Sequence, residues 1–193
     1  MISAVVLAAG QSTRMGQPKM LLPWGKSTVI ENIIITILDG GVEDIHIVVG
    51  GLKNQIKKNL RYYQLDYIVN DGYLDGEMLK SVQLGIKSLK NETDAALIVL
   101  GDQPQIESST VEAILKRHEL SKSQIIVPSY KMKRGHPVLI ARQLWTSLLN
   151  LKPPMTLRDF MNENSQFIDY LVVDNQSVIQ DLDTPDDYFR YKP

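Results

Sequence analysis

The sequence predicts an α/β protein built on a mostly parallel sheet with helices on both faces. Three observations carry this reading. Short Val- and Ile-rich runs recur along the chain, amphipathic stretches fill the gaps between them, and runs such as Ala95–Leu100 (AALIVL) are apolar throughout instead of alternating. A strand that is apolar on both faces is covered on both faces, as parallel strands joined by crossover helices are.

Taken in order, the expected strands are Ser3–Leu7, Asp44–Val49, Asp66–Val69, Ala95–Leu100 and Gln124–Val127. Ser27 or Thr28 is placed to cap a helix running to about Leu38, with Gly40 and Gly41 as its stop. Helices are expected at Gln55–Leu60, Met78–Leu89 and Ser109–Ser121. In the second of these, Leu79, Val82, Ile86 and Leu89 fall at helical spacing and face the sheet. Beyond residue 128 the alternation is interrupted by Pro128, Pro137, Pro153 and Pro154, but the segments between them are too apolar for a disordered spacer. This half is therefore read as the substrate-facing part of one domain spanning 1–193. Segment 166–173 reads as a late strand, and Pro185–Tyr191 as a terminal helix capped by Asp183 or Thr184.

Composition narrows the function. A chain of 193 residues, 44% hydrophobic, fits a globular domain with a sizeable core. A formal charge of −1 argues against a nucleic-acid partner, which needs a basic face. The absence of cysteine excludes a disulfide framework, a thiolate zinc site and a cysteine nucleophile. The N-terminal apolar run lacks a basic segment before it and is far too short to span a bilayer, so a cytoplasmic protein without a membrane partner is expected.

The chemistry concentrates in residues 4–19, AVVLAAGQSTRMGQPK. Val5, Val6 and Leu7 form the end of a buried strand. Ala8, Ala9 and Gly10 are small enough for backbone N–H groups to approach an anion. Arg14 can grip phosphate oxygens with paired donors, and Lys19 adds a point charge. The loop matches neither the P-loop nor the dinucleotide fingerprint, so it implies another class of phosphate site. Either cation alone reads as a solvated surface charge; their joint placement after this strand points to a nucleoside triphosphate.

Asp102 ends the apolar run 96–101, at the sheet edge where the first strand also delivers its loop. There a carboxylate can hold a hard cation such as Mg²⁺ against phosphate oxygens, although Asp102 followed by Pro104 reads equally well as a turn. The segment Asp181-Leu182-Asp183-Thr184-Pro185-Asp186-Asp187 supplies a second cluster. Asp186 and Asp187 suit a helix start, and Asp183 is the better second metal ligand. The three histidines are not read as a metal site: His46 falls in a strand and His118 in a helix, while His136, between Gly135 and Pro137, is placed in an exposed turn. Lys53, Lys57, Lys58 and Arg61 read as a solvated helix face, and Trp24 as a core plug.

The N-terminal pattern L-A-A-G-x-S-x-R-M-G-x-P-K resembles the signature of the MobA-like NTP transferase family. Leu100-Gly101-Asp102-Gln103-Pro104, Arg134-Gly135-His136-Pro137-Val138 and Asp181-Leu182-Asp183-Thr184-Pro185 are similar to further family segments, in the same order. The resemblance implies a Rossmann-like fold of the nucleotide-diphospho-sugar transferase type and Mg²⁺-dependent transfer of a nucleoside monophosphate to a phosphate monoester. It puts Arg14 on the β- and γ-phosphates, Lys19 on the α-phosphate, and Asp102 and Asp183 on the metal, with Arg14, Lys19 and Asp102 as the catalytic set. The backbone of Leu7, Ala8, Ala9 and Gly10 then lines the base, and the segment from Asn70 to Ser81 supplies base and ribose contacts. Gly135, His136 and Arg158 fall to the acceptor. Ala9 and Gln103 are similar to molybdenum cofactor cytidylyltransferases and favour CTP over GTP, which adds a molybdoenzyme as a candidate partner. Two segments depart from that pattern, Gly76-Glu77-Met78-Leu79-Lys80-Ser81 and Pro153-Pro154-Met155-Thr156-Leu157-Arg158, and leave the acceptor open. Methylerythritol phosphate, a sugar phosphate, a guanylyl transfer or a non-catalytic accessory role are the alternatives.

Overall fold

The computed structural model describes residues 1–10, 12–72 and 78–193. Its sheet contains β1 (Ile2–Ala8), β4 (Asp44–Val49), β5 (Asp66–Val69), β6 (Ala95–Leu100), β7 (Ile125–Tyr130), β8 (Lys133–Arg134), β9 (Val138–Ala141) and β10 (Ile168–Val172); β2 (Pro23–Trp24) and β3 (Ser27–Thr28) form a separate hairpin. The strand order is β10-β7-β9-β6-β1-β4-β5, with β8 paired to β7. Pairs β6·β1, β1·β4, β4·β5 and β7·β10 are parallel, whereas β9 runs antiparallel to both β6 and β7. The mostly parallel sheet expected from the apolar runs is thus present.

Helices cover both faces. α1 (Val29–Asp39) starts where Thr28 accepts a hydrogen bond from the Glu31 N–H, and it packs with α4 (Ser108–Ser121). α3 (Met78–Ser88) lies against β1 and β4, burying Leu79, Val82 and Ile86 as their spacing requires. α2 (Lys53–Asn59) begins two residues earlier than expected. α7 (Pro185–Tyr191) matches its expected span, and its cap is Thr184, in a reciprocal capping box with Asp187. Trp24 is buried, as a plug would be.

The second half departs from expectation. β7 does not stop at Val127 but continues through Pro128 to Tyr130. Within a strand, a residue's N–H and C=O point the same way, and the Pro128 carbonyl accepts from the Gly135 N–H. The N–H that Pro128 lacks therefore falls beside residues 135–137, between the partner positions Arg134 and Leu139, where ladder pairing is interrupted. Strands β8 and β9 and the helices α5 (Trp145–Asn150) and α6 (Leu157–Glu163) were not expected from the alternation.

Candidate active site

A cleft of about 400 Å³ opens at the C-terminal edge of the parallel strands. Leu7 enters it from the end of β1, Ala9 and Gly10 just after that strand, Asn70 after β5, and Leu100 and Asp102 at the end of β6. The closing wall comes from the far end of the chain, where Asp181 and Asp183 flank the fully buried Leu182. The Leu182 N–H donates to the Asp102 carbonyl at 2.9 Å, and this stitch sets Asp183 beside Asp102. Gly101 is required at the strand end, because a Cβ there would lie 2.7 Å from the Leu7 carbonyl oxygen.

Lys19 holds the centre. Its backbone N–H donates to Ser12 Oγ at 3.2 Å at the start of a 3-10 turn, and the residue is only 7% exposed. A buried ammonium is tolerated only when its protons are matched. Here Nζ donates to Asp102 Oδ2 at 2.7 Å, to the Leu182 carbonyl at 2.9 Å and to Asp183 Oδ1 at 3.3 Å. Arg14, whose side chain is largely exposed, reaches Asp183 Oδ2 at 2.9 Å. Two cations and two carboxylates neutralise one another in the cleft.

In the acidic segment 181–187 the sequence reading prefers Asp183 over Asp181, yet Asp181 also belongs to this site. It lines the cleft and accepts from Gln103 Nε2 at 2.6 Å. Partial burial of its carboxyl raises its pKa, and the charges of Asp102 and Asp183 add to the rise against the lowering effect of Gln103 and Lys19. Gln103 itself is 2% exposed and leaves Oε1 buried without a partner, so it holds Asp181 and does not face the cleft. The Asp–x–Asp spacing of Asp181 and Asp183 was the available signal. Asp102, Asp181 and Asp183 bring three carboxylates to one cleft, the oxygen chemistry that a hard divalent ion takes, and the Lys19 ammonium lies between two of them.

The other expected residues divide. Asn70 and Ser81 meet, with Asn70 Nδ2 donating to Ser81 Oγ at 3.0 Å and Asn70 Oδ1 accepting from the Gly72 N–H. Both line the cleft with Met78; Gly76 and Glu77 of the same expected segment lie outside the described residues, as does Gln11 of the N-terminal pattern. Ala8 is buried in the sheet and is not part of the cleft wall. Gly135 is buried too: a Cβ there would sit 2.5 Å from the Val178 carbonyl oxygen, so the close approach it permits is to the protein's own backbone. His136 is partly buried, not in an exposed turn, and its N–H donates to the Val178 carbonyl. Desolvation lowers its pKa to about 4 despite the opposing charge of Asp102, which leaves a neutral imidazole at pH 7. Arg158 is exposed on α6, away from the cleft wall.

Residues 4–167 fit the model of the MobA-like NTP transferase domain. The chain belongs to that family. Among relatives of this MobA-like NTP transferase, a molybdenum cofactor cytidylyltransferase from Escherichia coli (strain K12) is 27% identical over 192 residues, 99% of this chain and 95% of that protein. A nicotine blue oxidoreductase from Paenarthrobacter nicotinovorans is also 27% identical, over 98% of this chain and 95% of its own length. Among solved structures, Rv0371c from Mycobacterium tuberculosis H37Rv superposes with a TM-score of 0.86 at 27% identity, covering 98% of this chain and 96% of that one. The same Mycobacterium protein has also been solved in complex with manganese. The architecture is that of nucleotidyltransferases of the nucleotide-diphospho-sugar transferase type.

The MobA-like NTP transferase carries a second set of candidate ligands far from the cleft. Asp44, His46 and Asp66, at the N-terminal ends of β4 and β5, bring their ligand atoms within 4.8 Å of one another. Among the described residues, no helix is long and apolar enough to cross a membrane.

Proposed function

We propose that residues 1–193 form a single nucleotidyltransferase domain that moves CMP from CTP onto the phosphate monoester of molybdopterin or molybdenum cofactor and releases pyrophosphate. The observation that carries this reading is the Lys19 ammonium suspended between Asp102 and Asp183, beside the small-residue loop after β1. The name of the Escherichia coli relative supports CTP and the cofactor acceptor. In this reading the protein is cytoplasmic and passes its product to a molybdoenzyme.

The residues take the following roles. Leu7, Ala9 and Gly10 present backbone to the base, while Asn70 and Ser81 meet the nucleoside. Arg14 binds the β- and γ-phosphates, and Lys19 leaves its carboxylate partners for the α-phosphate. Asp102 and Asp183 would hold Mg²⁺, with Asp181 beside them; the ion would supply charge neutralisation on the phosphates, and the manganese complex of Rv0371c supports a divalent metal. An acceptor phosphate oxygen attacks the α-phosphorus as the bond to the β-phosphate oxygen breaks, and pyrophosphate leaves with that electron pair. The attacking oxygen is already anionic at pH 7, so positioning and charge neutralisation suffice and no general base is required. Of the residues expected to meet the acceptor, His136 keeps that role, since it senses the charge of Asp102 and its neutral imidazole can donate a hydrogen bond without adding charge; Gly135 packs on Val178, and Arg158 lies away from the cleft wall.

The Paenarthrobacter relative, equally similar and carrying the name of an oxidoreductase, is the observation that favours a second reading, in which the family fold carries other chemistry. Pyrophosphate release with Mg²⁺ and each of CTP, GTP, ATP and UTP, with and without molybdopterin or molybdenum cofactor, separates the two. Acceptor-dependent release with CTP supports the transfer. No release with any nucleotide, in protein that binds none of them, supports the second reading.

A further inference from the structure

We propose a second cation site, at the end of the sheet remote from the cleft, in which Asp44, His46 and Asp66 take a borderline divalent ion such as Zn²⁺ or Co²⁺. The backbone builds it. His46 of β4 pairs in register with Asp66 of β5, and Asp44 lies two residues before His46 and so projects from the same face of the strand. The His46 side chain is 2% exposed, whereas that of Asp66 is 65% exposed, which leaves a path from solvent.

The hydrogen bonds fix the orientation of the imidazole. His46 Nδ1 lies 2.9 Å from Ser88 Oγ, and Ser88 Oγ lies 2.7 Å from the Gly85 carbonyl. A hydroxyl has one proton, and the shorter contact, to an oxygen that can only accept, claims it. Ser88 Oγ therefore accepts from Nδ1–H, which turns His46 Nε2 toward the two carboxylates. Nε2 lies 3.3 Å from Asp44 Oδ2 and 3.8 Å from Asp66 Oδ2. Two carboxylates beside a buried imidazole call for a cation at Nε2, a proton or a metal ion that displaces it.

The spacing suits a metal ion. Donors bound about 2.1 Å from a shared tetrahedral ion stand about 3.4 Å apart, whereas a direct charged N–H to carboxylate contact closes to about 2.7–2.9 Å. Lys90 Nζ occupies the other Asp44 oxygen at 2.8 Å, leaving Oδ2 to the ion, and Ser88 fixes the ring through Nδ1. One imidazole with two carboxylates suits Zn²⁺ or Co²⁺ better than Mg²⁺, which the all-oxygen set in the cleft suits. The bound ion would fasten the four-residue edge strand β5 to β4, and β5 leads directly to Asn70 in the cleft.

The test uses Co²⁺ alone, added to a D102N/D183N variant in which the cleft can no longer compete, with binding followed by calorimetry and by visible absorption. The expected result is one equivalent bound, weakened at least about tenfold by adding D66N or H46Q and not displaced by Mg²⁺. Absence of uptake, or uptake indifferent to D66N, overturns the proposal; Asp66 is exposed enough that its amide variant keeps the fold. Nitrogen NMR of His46 gives an independent reading. A shift of the His46 Nε2 signal on addition of Zn²⁺, with Nδ1–H retained, agrees with the proposal, and an unmoved Nε2 signal overturns it.

Discussion

Lys19 and Asp102, 83 residues apart in the chain, form a 2.7 Å ion pair that holds the small-residue loop to the end of β6. The same ammonium contacts Asp183, so it stands where a divalent ion would share those carboxylates. Ammonium and metal ion therefore compete for the same oxygens. In Lys19→Met the carboxylates are left facing each other without a cation between them. Mn²⁺ affinity measured by electron paramagnetic resonance without nucleotide should then rise about tenfold, or about 1.4 kcal/mol. Nucleotidyl transfer should fall by about 10²–10⁴, the usual cost of losing one electrostatic group at a reacting phosphate. Unchanged Mn²⁺ affinity would show that Lys19 does not occupy the metal position.

The role of Gln103 separates a sequence inference from what the structure shows. By family resemblance the residue favoured CTP, yet it is buried and donates to Asp181. Gln103→Leu should lower turnover about tenfold by releasing Asp181, while the ratio of kcat/KM values among the four nucleotides stays the same. A changed nucleotide preference would restore Gln103 to base recognition.

How far the sequence reached follows from the kind of signal available. Strands β4, β5 and β6 fell on their expected residues because each is a short apolar run bounded by polar or turn residues. Lys19, Asp102 and Asp183 were legible because motif and sheet-edge position agreed. The Val138–Ala141 strand was not, since four apolar residues after a proline fit many buried settings, and only pairing with β6 and β7 makes them an antiparallel insertion. His136 was misjudged for a related reason: Gly and Pro neighbours signal a turn, but Val178, distant in sequence, covers it. Contacts between His46, Asp66 and Ser88 likewise depend on strand register and on the end of α3, which no local pattern displays.

Gly85 lies inside α3, where alanine ordinarily gains about 1 kcal/mol of helix propensity. Packing reverses the sign here. A Cβ at Gly85 would lie 2.2 Å from Val5 Cγ1 and 3.2 Å from Val48 Cγ2, both buried in the sheet. Gly85→Ala should therefore destabilise the protein by about 1–3 kcal/mol in urea unfolding, as overpacked cores do. A stabilised variant would mean that α3 can move off β1 without cost.

His136 gives a pH signature. Its folded pKa, about 4, lies below the ordinary value of 6.5, so between these pH values the unfolded chain binds more protons. Stability attributable to the neutral, desolvated imidazole is complete above pH 6.5 and falls as the pH drops toward 4. The urea midpoint of the wild-type protein should decline more steeply through this window than that of His136→Gln. Parallel profiles would place the titration elsewhere.

Nucleotidyl transfer is the reaction proposed for this cleft. Incubation of the protein with Mg²⁺, CTP labelled at the α-phosphate, and molybdenum cofactor tests it most directly, with Asp102→Ala run alongside. Label should move onto the pterin, pyrophosphate should appear in equal amount, and both should be lost in the variant. Label found only in free CMP, or transfer undiminished by Asp102→Ala, would contradict it.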